Sequence, residues 1–250
     1  MILMLPWFSG YLYQPLPNVL DMLTPPATAE DGLEQIEILH GNNPQWVVIW
    51  LHGLGADGHD FEPIVPELGL GAEPGVKFIF PHAPVRPITV NGGMRMRGWY
   101  DIKSMDIVGR EDPEGIQDSE QKIRRLIQSQ IESGIPSDRI ILAGFSQGGA
   151  VALHTALRYQ HRLAGVIALS TYVPLTGTVK AEVSESNLGI PIFMAHGDFD
   201  PVVAPQLGLN SMTLLEELGY DVEWRTYPMP HSVSPEEIRN IGNWMQGLFQ

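Results

Sequence analysis

From residue 33 onward the chain alternates two kinds of apolar pattern, and that alternation leaves few architectures open. Leu33, Ile36 and Ile38, then the run Trp46-Val-Val-Ile-Trp-Leu51, read as strands, the second apolar on both faces. Val76-Lys-Phe-Ile-Phe80 is another short strand. Residues 115–133 repeat apolar side chains at Ile116, Ile123, Leu126, Ile127 and Ile131, a helical spacing closed by Gly134 and Pro136. Strands follow at Ile140–Ala143, Leu163–Leu169, Ile190–Ala195 and Val222–Tyr227, and helices at 147–159, 206–218 and 235–248. This order predicts an α/β fold, a mostly parallel sheet of about seven strands with helices on both faces. One domain spanning residues 33–250 accounts for it.

The segment before it reads differently. Residues 1–13 are apolar and aromatic, and residues 14–32 are rich in Pro, Thr and Ala. We expect residues 1–32 to form an N-terminal arm packed on the domain or on the partner subunit of a homodimer, because exposed aromatics would make a costly patch. The first basic residue is Lys77, so the n-region of a secretory signal is missing, and Pro6 breaks any apolar helix there. No apolar run reaches transmembrane length. The expectation is a cytoplasmic protein with no stable membrane insertion.

Composition narrows the partners. There are 29 acidic residues against 15 basic, a formal charge of −14. Nucleic acid and anionic lipid surfaces both require clustered Lys and Arg, so neither is an expected partner. With no cysteine, disulfides, thiolate metal sites and a cysteine nucleophile are excluded.

A serine takes the nucleophile's place. Gly144-Phe-Ser-Gln-Gly148 lies where a buried strand ends and a helix begins, the setting of a nucleophile elbow. A turn this tight forces unusual φ/ψ on Ser146, and flanking glycines remove Cβ atoms that would clash. A base and an orienting acid should follow in the order Ser, Asp, His. His196 lies before the acids; Asp198 and Asp200 compete for the acid, and His231, after the last strand, satisfies the order as base. His154 and His161 fall on or just past the helix after the elbow and read as structural. Oxyanion donors are expected from the Gln147 amide and from the Gly-rich turn Leu51-His-Gly-Leu-Gly-Ala56, with Leu54 N–H favoured.

His52-Gly-Leu-Gly-Ala-Asp-Gly58, Phe80-Pro-His-Ala-Pro-Val-Arg-Pro87, Trp99-Tyr-Asp-Ile102, Gly144-Phe-Ser-Gln-Gly-Gly149 and His196-Gly-Asp-Phe-Asp-Pro201 occur in this order. Together they resemble the carboxylesterase/acyl-protein thioesterase family (phospholipase/carboxylesterase type) of α/β-hydrolases, and look closest to its bacterial carboxylesterases. The resemblance implies Ser146, Asp200 and His231 as the catalytic triad, Leu54 and Gln147 as the oxyanion hole, and no metal or cofactor. It also implies that residues 88–99 border an acyl groove. Met94, Met96 and Trp99 offer its pliable apolar wall, and Ile88, Tyr172, Val173 and Val202 are further candidates.

The expected activity is serine-dependent hydrolysis of short to medium-chain carboxylic esters through an acyl-enzyme. Two alternatives are an acyl-protein thioesterase or lysophospholipase acting on long-chain acyl groups, and a non-catalytic ligand-binding protein on the same scaffold. In either enzymatic case the partner is a small-molecule ester or a thioester.

Overall fold

The computed structural model describes residues 32–104 and 111–249. The expected arm over residues 1–32 therefore lies almost wholly outside the described residues. Seven strands form one sheet: β1 Gln35–His40, β2 Pro44–Leu51, β3 Gly75–Pro81, β6 Ile140–Phe145, β7 Gly165–Leu169, β8 Pro191–Gly197 and β9 Asp221–Tyr227. Their spatial order is β1-β3-β2-β6-β7-β8-β9. Only β1 runs antiparallel, against β3; every other neighbouring pair is parallel.

Helices α1 Pro113–Glu132, α2 Gln147–Arg158, α3 Thr176–Glu182, α4 Pro205–Glu217 and α5 Pro235–Leu248 complete the fold. Strand β2 shows why both faces must be covered. Val47, Ile49 and Leu51 join a core with α1, α2 and α4, while Trp46, Val48 and Trp50 join a second core with α5 and the 3-10 turn Glu62–Leu68. Alternate side chains of a strand point to opposite faces, so a run apolar throughout needs a layer on each side. All strands and helices expected from the sequence are present, their ends shifted by a few residues.

Besides short 3-10 turns, a hairpin and a short helix were not expected. Residues 88–99, read as a groove-bordering loop, hold part of a hairpin, β4 Val85–Ile88 paired antiparallel with β5 Met94–Arg97. Gly92-Gly93 forms its turn, with φ of 67° and 78°, left-handed values that suit glycine. The other is the short helix α3. Its sequence Thr-Gly-Thr-Val-Lys-Ala-Glu lacks a run of apolar periodicity, and a single buried anchor, Val179, holds it to the core.

Candidate active site

The sheet brings its chemistry to the carboxyl ends of neighbouring strands. β6 ends at Phe145, and Ser146 takes φ 54°, ψ −119° before α2 begins at Gln147. A non-glycine residue in such a conformation costs about 1–3 kcal/mol, so the surroundings must enforce it. They do so by close approach: a Cβ on Gly144 would overlap the backbone of Gly148 and Gly149, and one on Gly148 would overlap the Leu51 and His52 carbonyls. The Ser146 N–H continues the sheet by donating to Leu169 O at 2.8 Å, and Thr171 Oγ1 donates to the serine carbonyl at 2.7 Å.

Asp200 and His231 are joined. His231 Nδ1 donates to Asp200 Oδ2 at 2.7 Å, while Asp200 Oδ1 accepts the amides of Val202 and Val203 at 2.8 and 2.9 Å. Burial pushes the Asp200 carboxyl up, but hydrogen bonds from His196, His231 and the Val203 amide outweigh it and hold the group well below the usual carboxylate range. Asp198, the competing acid, is exposed. The His231 ring packs on Phe145, the residue before the serine, at 4.6 Å between centroids. Its Nε2 is buried with no hydrogen-bond partner among the described residues. Ser146 Oγ forms no hydrogen bond to it there; such bonds are often loose until substrate arrives.

Two backbone donors flank the serine. Gln147 opens α2, so its N–H belongs to the first turn, where no intrahelical acceptor exists. In the turn after β2, the Gly55 and Ala56 amides are committed to Arg97 O and Gly53 O, whereas the Leu54 N–H has no acceptor among the described residues. His52 fixes this turn. Its Nδ1–H donates to Gly53 O at 2.7 Å, and its bare Nε2 accepts the Ala83 amide at 3.0 Å. Burial lowers the His52 pKa to about 4, so the ring stays neutral and this tautomer persists.

Leu54, Ser146 and Gln147 share the wall of an open cavity with apolar side chains from Val90, Ile102, Tyr172, Val202 and Val203. Tyr100 joins them, its hydroxyl 2.9 Å from that of Tyr172. Burial raises both phenols, Tyr172 to about 12, so the pair is neutral. Asn91, Asp101, Lys103 and Glu111 add polar groups to the rim and wall.

Of the seven expected groove residues, Tyr172 and Val202 lie on this wall and five do not. Trp99 is fully buried, with its indole N–H donating to His52 O at 2.9 Å, so it holds the Gly-rich turn from behind. Ile88 and Val173 are also fully packed. Met94 is exposed on β5, and Met96, half-buried, takes Asn91 Nδ2 at its sulfur at 3.5 Å. Within Trp99-Tyr-Asp-Ile102, Tyr100 and Ile102 face the cavity and Trp99 the core. Val90 and Asn91, in a 3-10 turn within the expected stretch 88–99, were not singled out there, and Val203 was not expected; no periodicity reveals any of them.

Among the described residues no group of three or more His, Asp and Glu side chains is placed to hold a metal ion, and no helix is long and apolar enough to cross a membrane. The sequence profile of the phospholipase/carboxylesterase family matches residues 34–248. The chain is 46% identical over 207 residues to acyl-protein thioesterase 1 of Neurospora crassa, covering 79% of this chain and 84% of that protein. The corresponding protein of Gibberella zeae is 44% identical over 203 residues, covering 78% and 86%. Among solved structures, Arabidopsis thaliana SOBER1 superposes with a TM-score of 0.78 at 30% identity, covering 82% of this chain and 99% of that one. Zea mays acyl-protein thioesterase 2 gives a TM-score of 0.76 at 26% identity, covering 87% and 99%.

Proposed function

Because the chain belongs to the phospholipase/carboxylesterase family of serine hydrolases, we propose that it hydrolyses acyl thioesters and the corresponding esters through an acyl-enzyme on Ser146. The observation that carries this reading is an apolar cavity with Ser146 in its wall beside the buried Asp200–His231 pair. In the proposed sequence His231 Nε2 takes the Ser146 proton as Oγ attacks the carbonyl, and Asp200 holds the ring with Nδ1 protonated. The Leu54 and Gln147 amides receive the oxyanion. His231 then protonates the departing thiol or alcohol, and water repeats the steps on the acyl-enzyme.

The fungal relatives named acyl-protein thioesterase favour thioester-linked acyl chains on a protein or peptide over small carboxylic esters. The cavity supports an acyl substrate, since its wall beside Ser146 is mostly apolar. Short to medium-chain esters remain the second substrate class, because the same serine chemistry serves either leaving group. A cytoplasmic site of action belongs to the proposal.

Paired kinetics test it. An S-acylated peptide and an aryl ester of matched acyl length should both be cleaved, with kcat/KM higher for the thioester and rising with chain length. A fluorophosphonate should label Ser146, and Ser146→Ala should lose on the order of 10⁶ in kcat. Persistent hydrolysis by Ser146→Ala overturns the assignment, and a preference for acetyl esters moves it to the second class.

A further inference from the structure

One buried imidazole near the candidate site has no part in the steps above. His196 is completely buried at the end of β8, with Nε2 2.9 Å from Val203 O and 3.4 Å from Asp200 Oδ2. A carbonyl and a carboxylate only accept, so Nε2 carries the proton and donates it to Val203 O, with Asp200 Oδ2 the more distant acceptor beside it. Nδ1 is left bare, with no partner among the described residues. Opposite it lies Gly208 of α4, where an added Cβ would stand 2.5 Å from Nδ1 and 2.9 Å from the Trp224 ring. The glycine lets α4 pack flush against the imidazole. Among the described residues α4 presents Gly208 and β9 presents Trp224 to the ring, both uncharged, and Asp200 is the ionisable group in contact with it.

The consequence is a closed clamp. Val203 is held on both sides of its backbone, its N–H by Asp200 Oδ1 and its C=O by His196 Nε2. Asp200 Oδ2 is shared between His231 at 2.7 Å and the longer contact to His196 at 3.4 Å. A carboxylate has about four lone-pair sites; the amides of Val202 and Val203 and His231 engage three, and His196 stands beside the fourth at 3.4 Å.

We propose that His196 is a positioning residue that fixes the Asp200 carboxylate and, through it, sets the orientation and basicity of His231. The inference rests on the reading of Ser146, Asp200 and His231 as a triad. Removing the His196 donor concentrates the Asp200 charge on its bond to His231, which stabilises the imidazolium and raises the pH at which the base loses its proton. It also frees the Val203 peptide, loosening the aspartate's loop.

The test compares the full-length wild type with His196→Gln, which keeps a donor near the Nε2 position, His196→Phe, which keeps volume without one, and Gly208→Ala, which crowds the ring. On a soluble acyl thioester His196→Phe should lose about tenfold in kcat with KM little changed, because it acts through Asp200 and touches no substrate. Its acidic limb of kcat/KM should move to higher pH, with His196→Gln returning both toward wild type and Gly208→Ala falling between. Nitrogen-15 histidine spectra of the wild type should show His196 protonated at Nε2, a readout independent of any variant's folding. An Nδ1-protonated His196, or a folded His196→Phe with the wild-type profile, overturns the proposal. Ser146→Ala, assayed alongside, separates that outcome from failure of the triad, since its full activity would remove the triad while leaving the tautomer result standing.

Discussion

The side chain of Gln147 carries the backbone of Trp99: Oε1 accepts the Trp99 N–H at 2.7 Å, and Nε2 donates to the next carbonyl, that of Tyr100, at 2.7 Å. The first residue of α2 thus binds the cavity wall to the elbow. Ser119 Oγ, donating to the Trp99 carbonyl, holds the same stretch from α1.

Gln147→Leu should therefore destabilise the fold by about 3 kcal/mol, because a buried N–H and a buried C=O both lose their partner while the volume is kept. Urea denaturation measures this. A loss below about 0.5 kcal/mol, the level of a surface substitution, would mean that the bridge is dispensable.

Acid should loosen the Gly-rich turn through His52. Burial lowers its pKa from 6.5 to about 4, so as pH falls the unfolded chain takes up the proton first. This contribution is fully present above pH 6.5 and is lost as pH drops toward about 4, in total on the order of 3 kcal/mol. The slope of unfolding free energy against pH in that window should be shallower in His52→Gln than in wild type. Identical slopes would assign the acid sensitivity elsewhere.

Alkali should act through Glu237. This carboxyl sits in the capping box of α5, taking the Ser234 amide on one oxygen while the other has no partner among the described residues. Burial raises its pKa from 4.5 to about 8, with the Ser234 hydrogen bond opposing. Its stabilising contribution is complete below pH 4.5 and is lost as pH rises through about 8, because the unfolded chain gives up the proton first. Glu237→Gln should gain on wild type by on the order of 1 kcal/mol per pH unit across that range and then level off. Thermal melts from pH 5 to 9 read this directly, and a difference constant with pH would count against it.

The cavity wall makes a prediction for chain length. Val202 lines it and Met94 does not. Val202→Trp should cut hydrolysis of a long-chain thioester by about tenfold or more while sparing an acetyl thioester, since added bulk excludes the longer chain first. Met94→Trp should change neither, and an effect there comparable to Val202→Trp would place the acyl chain over the hairpin.

Much of this was readable in the chain. The strands and main helices follow from apolar runs and 3.6-residue spacing, which one layer of packing on each sheet face dictates. The Ser–Asp–His order and the placement of the glycines follow from the elbow's geometry, and Asp200–His231 contact is what that order anticipates. The cavity wall was harder to read. Trp99 and Tyr100 are neighbours in a segment without regular structure, so no period says which faces inward; the choice is made by Gln147 and His52, distant in sequence. Met94 and Met96 suggested pliable contacts by composition, but the hairpin pairing of Met94 with Ile88 fixes their place. The same limit hid His196, whose partners assemble only when β8, β9 and α4 meet.

The position of β9 at the sheet's edge, with His231 in the loop beyond it, bears on how the molecule is made. Synthesis delivers Ser146 85 residues before the imidazole, and the edge strand must dock on β8 before the two can meet. A growing chain on the ribosome therefore holds Ser146 without its imidazole neighbour while the 85 residues from there to His231 are added. The buried pair of Asp200 and His231 can form only once β9 has emerged and docked on β8, so the site closes last.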